Sequence, residues 1–143
     1  DMAVVPHFLR LTHPGDLTID LANIPDLLPP LAVMAAVRSG TTRFVNAARL
    51  RMKESDRLST VCAMLTALGS SCQEGPDSLT VTGGTLAGGT VDSAGDHRIA
   101  MAAAIAATGC TGPVMVLGAE CVKKSYPDFW EVYQSLGGEV HVL

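Results

Sequence analysis

Two charged motifs stand seventy residues apart in this chain, Lys53-Glu54-Ser55-Asp56-Arg57 and Lys123-Lys124-Ser125-Tyr126-Pro127. A third, Asp96-His97-Arg98, opens an alanine-rich apolar run, and Asp26 opens another that ends at Ala36. Arginine presents a fork of donors that matches phosphate or carboxylate, and lysine adds a mobile point charge. Arg57 and Arg98 are therefore candidate anion clamps, with Lys53 and Lys124 beside them. Asp26 and Glu54 are carboxylates in the same company, able to act as base and acid next to a cationic cluster. Each residue has a plain alternative. Asp26 and Asp96 can be helix caps, Glu54 a lysine's partner, and His97 a satisfied core histidine. Recurrence at matching points of a repeat favours function.

The charge distribution supports an anionic ligand. The chain carries ten Lys and Arg against fourteen Asp and Glu, a net charge of −4, which argues against a general nucleic-acid binder. Seven of the ten cations (Arg49, Arg51, Lys53, Arg57, Arg98, Lys123 and Lys124) lie in or beside the motifs. An acidic chain that gathers its cations at a few points suits a small anion. The spacing places these charges just before, or within, the first turn of helices, whose free N–H groups attract anions. Cations there oppose the helix dipole by roughly a few tenths of a kcal/mol each, a cost that an anionic ligand would offset.

The elements that must position these residues recur with the motifs. Residues 16–20 alternate as a short strand. An apolar helix follows from Asp26, with prolines in its first turn and Gly40 at its exit, and strand 41–46 comes next. Its apolar character all round predicts burial on every side. From Ser55, Leu58, Val61, Cys62, Leu65 and Leu68 mark an amphipathic helix ended by Gly69. Residues 71–74 and 78–82 flank a Gly-Pro-Asp turn and read as a hairpin. After a glycine-rich loop with a short strand at 90–92, the plan repeats. A helix runs from Asp96 to about Thr108, followed by strand 113–117. A helix from Ser125 then places Phe129, Val132, Tyr133 and Leu136 on one face, and strand 139–142 closes the unit. On a shift of seventy, Asp26 falls on Asp96. The fold class is α/β with a mixed sheet and buried helices, in repeat units 16–82 and 90–143.

Other classes find little support. At 143 residues and 48% apolar, the chain has about one domain's length and can bury a core. No apolar run reaches the roughly 18 residues of a membrane span. Cys62, Cys72, Cys110 and Cys121 lack Cys-x-x-Cys spacing and are expected as free thiols in a reducing compartment. His7, His13, His97 and His141 are scattered, so neither a metal nor a cofactor is expected. The Asp-Met start, with no leader, is expected of a piece of a longer protein.

Four motifs in order, Ile-Pro-Asp (24–26), Lys-Glu-Ser-Asp-Arg (53–57), Gly-Asp-His-Arg-Ile-Ala-Met-Ala (95–102) and Lys-Lys-Ser-Tyr-Pro-Asp-Phe (123–129), resemble the C-terminal part of the 5-enolpyruvylshikimate-3-phosphate synthase family. The resemblance covers about residues 16–143. It implies tandem β-α-β-α-β-β units of an inside-out α/β barrel, two of the three units of one domain. Residues 1–143 would then be a partial C-terminal domain, without the N-terminal domain.

It also implies an activity, the transfer of the enolpyruvyl group of phosphoenolpyruvate to the 5-hydroxyl of shikimate 3-phosphate, with release of phosphate and in the cytoplasm. Asp26 would hold the 5-hydroxyl and act as its base, Lys53 would touch the shikimate phosphate, and Glu54 would donate a proton to the methylene carbon. Lys124 would lie near the phosphoenolpyruvate end, Arg57 and Arg98 would clamp that substrate's phosphate and carboxylate, and His97 would lie beside them. The absent part supplies most contacts to shikimate 3-phosphate, so the chain alone is expected to be inactive; apolar surface left where the absent unit would pack is expected to make it self-associate. Two alternatives stay open, the sister UDP-N-acetylglucosamine enolpyruvyl transferase and a non-catalytic anion-binding module. No nucleic acid or membrane partner is expected.

Overall fold

The computed structural model describes residues 2–143. Strands β1 (Leu17–Asp20), β2 (Thr41–Val45), β3 (Ser71–Glu74) and β4 (Leu79–Thr82) form one mixed sheet in the order β1-β2-β4-β3. β1 and β2 run parallel, as a strand–helix–strand crossover requires, with Leu17 opposite Thr42. β4 is antiparallel to both β2 and β3, so the 71–82 hairpin forms as its turn residues predict. A second, two-stranded parallel sheet joins β5 (Gly89–Asp92) to β6 (Val114–Leu117).

Among the described residues, five α-helices accompany the strands: α1 (Val4–Leu11), α2 (Leu28–Val37), α3 (Arg57–Ala67), α4 (His97–Ala107) and α5 (Phe129–Ser135). On α2, Leu28, Pro29, Leu31, Ala32, Val33, Ala35 and Ala36 are all buried, so the all-round apolar sequence does yield an enclosed helix. It packs on α4, whose alanines let the two backbones come close, and on α3. The inner face of the first sheet presents Ile19, Phe44, Leu79 and Val81 to the same core. β2 shows the alternation behind this, with Thr42 and Phe44 buried and Arg43 exposed. Each such buried leucine or phenylalanine contributes about 1.5–3 kcal/mol of transfer free energy. At the exit of α2, Gly40 has φ +117°, and an added Cβ would collide with the Gly15 carbonyl oxygen.

The two units superpose on a shift of seventy-two residues rather than seventy. Leu17↔Thr42 corresponds to Gly89↔Val114. The Leu21 N–H to Val45 oxygen bond corresponds to the Ser93 N–H to Leu117 oxygen bond, and Ile24 N–H to Leu21 oxygen corresponds to Asp96 N–H to Ser93 oxygen. Asp96 therefore occupies the place of Ile24, and Arg98 the place of Asp26. The seventy-residue match of motifs is a coincidence of residue type, because backbone hydrogen bonds, and not side-chain identity, define equivalent positions.

Three other expectations change. The helix from Ser125 starts only at Phe129, because Pro127 disfavours the helical conformation at Tyr126 and the chain turns through a 3-10 segment, Ala119–Lys124. Leu136 does not join half-buried Phe129, Val132 and Tyr133 and is 83% exposed, just past the end of α5. Residues 139–142 alternate as a strand would but form none, since among the described residues no strand pairs with them. Helix α1 precedes the segment in which the sequence pattern is informative.

Candidate functional site

Arg57 is the first residue of α3, and its side chain turns into the protein until the residue is 0% exposed. A buried guanidinium requires compensating charge, and three carboxylates from three separate segments supply it. Nε donates to Asp96 Oδ2 at 3.0 Å, and Nη2 to Asp96 Oδ1 at 3.2 Å. Nη1 donates to Asp26 Oδ1 at 2.9 Å, and Nη2 to Glu54 Oε2 at 2.6 Å. Lys53 Nζ reaches the same Asp26 oxygen at 3.1 Å. One residue thus gathers the motifs around positions 26, 54 and 96.

Asp96 is the fixed member of the group. It is fully buried and caps α4, accepting from the Arg98 N–H at 3.0 Å, and it also accepts from Ser55 Oγ at 2.9 Å. Burial pushes its carboxyl up, but the Arg57 and Ser55 hydrogen bonds, the Arg57 charge and the Arg98 N–H outweigh that and hold it below the usual carboxylate range. Asp26 and Glu54 differ, since their side chains are 45% and 44% exposed. Burial raises Asp26 as well, yet the Lys53 hydrogen bond and the charges of Lys53, Arg98 and Arg57 lower it on balance.

Asp26 sits in a 3-10 turn, Pro25–Leu27, ahead of α2, and does not cap that helix. With Asn23, Ile24, Pro25, Leu27 and Arg98 it lines a surface concavity of about 220 Å³. Arg98 and His97 open α4, and the buried His97 Nδ1 has no hydrogen-bond partner among the described residues. Lys124 ends the 119–124 turn and donates from Nζ to the Gly95 oxygen at 3.1 Å, beside the cap of α4. That turn is held by buried Cys121 and Val122 against Ala100, and by Trp130 Nε1 donating to the Ala119 oxygen at 3.2 Å. Lys53 likewise follows a 3-10 turn, Ala48–Met52. Both lysines therefore stand at the C-terminal ends of short helical turns, where a cation is favoured, so the dipole cost expected of them does not arise.

Seen together, the cluster is a pair of accessible carboxylates, Asp26 and Glu54, anchored on one buried arginine and faced by Lys53 and Arg98. A protein-family model described as EPSP synthase (3-phosphoshikimate 1-carboxyvinyltransferase) matches residues 10–133. The chain belongs to the EPSP synthase family. The 3-phosphoshikimate 1-carboxyvinyltransferase of Clostridium kluyveri is 53% identical over 125 residues, which are 87% of this chain and 29% of that protein. The Halobacterium salinarum protein of the same name is 44% identical over 123 residues, 85% of this chain and 29% of its own length. A solved EPSP synthase structure from Acinetobacter baumannii, 34% identical, aligns with a TM-score of 0.74 over 80% of this chain and 27% of that one. The chain thus spans under a third of the length of the family members it matches.

Within this EPSP synthase segment, the structure brings Asp26, Lys53, Glu54 and Arg57 into direct contact, and Asp26 and Arg98 onto one concavity. His97 and Lys124 flank the same end of α4. Sequence reasoning treated Asp96 only as a cap or a repeat marker and left Ser55 without a site role. The signal available was the conjunction of a serine and an arginine on one loop, able to satisfy a single buried carboxylate. Among the described residues no group of His, Cys, Asp or Glu is arranged to hold a metal, and no helix is long and apolar enough to cross a membrane.

Proposed function

We propose that this chain carries one wall of an active site that transfers the enolpyruvyl group of phosphoenolpyruvate to the 5-hydroxyl of shikimate 3-phosphate. The observation that supports this most is the state of Arg57. It holds one immovable carboxylate, Asp96, and two accessible ones, Asp26 and Glu54. The accessible pair occupy the guanidinium as a substrate carboxylate or phosphate would. An arriving anion exchanges with them at Arg57, while Arg98, His97 and Lys124 take up its remaining charge and Lys53 turns to the shikimate phosphate.

Release of Asp26 and Glu54 is what makes them useful. Asp26 is held low by Lys53, Arg98 and Arg57. Once those cations are neutralised by substrate, its carboxylate becomes a stronger base toward the 5-hydroxyl. Once the substrate anion displaces it from Arg57, Glu54 takes a proton from solvent and delivers it to the methylene carbon as the 5-oxygen bonds to the adjacent carbon. That addition gives a tetrahedral intermediate. Return of a methyl proton to Glu54 and cleavage of the carbon–phosphate-oxygen bond, with the proton on Asp26 passing to the departing phosphate, then release phosphate and restore both carboxyl groups. A single wall cannot exclude water or hold two anions in attack geometry, so the chain by itself should release no phosphate.

The test joins residues 10–133 to the remainder of the Clostridium kluyveri protein and, after circular dichroism confirms folding, measures phosphate release. Release with phosphoenolpyruvate and shikimate 3-phosphate, absent with UDP-N-acetylglucosamine and abolished by Glu54→Gln, is the expected result. Release only with the sugar nucleotide would move the same roles to the sister reaction. A folded chimera that releases phosphate with neither acceptor would leave an anion-binding module.

A further inference from the structure

We propose that Arg51, which touches none of the site residues, is the positioning residue that fixes Lys53 and Glu54 in place. This rests on the reading of Lys53 and Glu54 as site residues. The segment between Leu50 and Arg57, the buried residues at its two ends, has no apolar anchor, and Met52 within it is 88% exposed. Something polar must therefore fix its course.

Arg51 supplies it. Nη1 donates to Asp56 Oδ2 at 2.9 Å and Oδ1 at 3.2 Å, which closes the loop at its base like a clasp, with Met52, Lys53, Glu54 and Ser55 projecting between. The same guanidinium is fastened to the hairpin between β3 and β4. It donates to Glu74 Oε1 at 2.7 Å, the Gly75 oxygen at 2.7 Å and the Pro76 oxygen at 2.9 Å. Ser59 Oγ donates to the same Glu74 oxygen at 2.8 Å, and Asp56 accepts from the Ser59 N–H at 3.3 Å to cap α3. A lone surface ion pair does little. Here one planar donor fork ties together the loop base, the start of α3 and a sheet hairpin, which is the geometry that makes arginine hard to replace. With the clasp open, Lys53 loses the backbone course that aims it at Asp26.

The titration of Asp26 reports this without any need for turnover. Its carboxyl feels Lys53 from the loop, Arg57 from α3 and Arg98 from α4; Arg57 is also held by buried Asp96 and Arg98 sits on a separate helix, so Lys53 depends most on the clasp. Side-chain carboxyl 13C NMR would follow Asp26 in the chain as it stands, in Arg51→Ala, in Arg51→Lys and in Lys53→Ala, with a thermal melt on each. The expected result is an upward shift of the Asp26 titration in Arg51→Ala, of the same sign as that in Lys53→Ala and no larger, with a smaller shift in Arg51→Lys. Should Arg51→Ala fail to fold, Asp56→Asn keeps an oxygen to cap α3 while cutting the clasp, and the same shift is expected of it. A lowered melting temperature with an unmoved Asp26, while Lys53→Ala does move it, would make Arg51 merely structural and overturn the proposal. If Lys53→Ala leaves Asp26 unmoved, the Lys53–Asp26 contact itself is wrong, and the reading beneath the proposal falls with it.

Discussion

Replacing Arg57 by methionine keeps most of the side-chain volume and removes the charge. What remains is the buried Asp96 carboxylate without its counter-ion. Removing one partner of a buried ion pair costs about 3–5 kcal/mol. Asp96 retains the Ser55 hydroxyl and the Arg98 N–H, which places the expected loss near the lower end, about 3 kcal/mol. For a chain of this size that lowers the melting temperature by roughly 6–12 °C. Urea unfolding followed by circular dichroism at neutral pH measures it directly. The companion variant Arg57→Met with Asp96→Asn removes the stranded charge as well and should recover at least half of the loss. A cost below about 1 kcal/mol for Arg57→Met, or a double variant as damaged as the sum of the two singles, would show that Asp96 is not the charge that Arg57 compensates.

Acid should weaken the fold in a defined direction. Asp26 and Asp96 are both held below the ordinary aspartate range, so the stability they contribute is complete above that range and is lost as pH falls through their lower folded values. Urea midpoints should therefore hold between about pH 7 and pH 5 and fall below roughly pH 4. Gly40→Ala should destabilise by about 2 kcal/mol or more, since a left-handed φ and a collision with Gly15 act together; a melt within 2 °C of the parent would contradict this. Tyr133→Phe, which removes a hydroxyl donating to the Ala104 oxygen at 2.9 Å, should cost about 1 kcal/mol by the same urea assay. Sedimentation should show concentration-dependent self-association, because Val5, Phe8 and Leu9 of α1 and Met115 and Leu117 of β6 stay exposed. A monomer at all concentrations would count against it.

Much of this arrangement is readable in the residues. The enclosed α2, the amphipathic α3, the 71–82 hairpin and the cap at Asp96 follow from local pattern and hold in three dimensions. What escapes is whatever depends on a distant partner. A strand at 139–142 needs a neighbouring edge that no local pattern guarantees. The start of α5 turns on whether Tyr126-Pro127 can continue a turn already begun at Ala119. The candidate site was legible as a set of residue types, because Arg57, Glu54 and Asp26 stand out as an arginine and two carboxylates in charged motifs, and the structure brings them into contact. Its wiring was not. Nothing in the order of residues shows that Arg57 is buried, that Asp96 is its permanent partner, or that Arg51 faces away and closes the loop. The first two facts come from contacts spanning 31 and 39 positions of the chain, and the last from Arg51 contacts to the hairpin 23 to 25 positions away.

The seventy-two-residue register gives the duplicated scaffold a polarity. One backbone position, at the approach to a buried helix, carries a carboxylate in the first copy and a guanidinium in the second. Two repeats that fold by the same rules have thus been made into opposite electrodes of one gap, Asp26 on one side and Arg98 on the other. A single ancestral unit paired with itself would have presented like charges there and could not have held such a field. Duplication within one chain removes that symmetry, and lets each approach change its sign without obliging the other to follow.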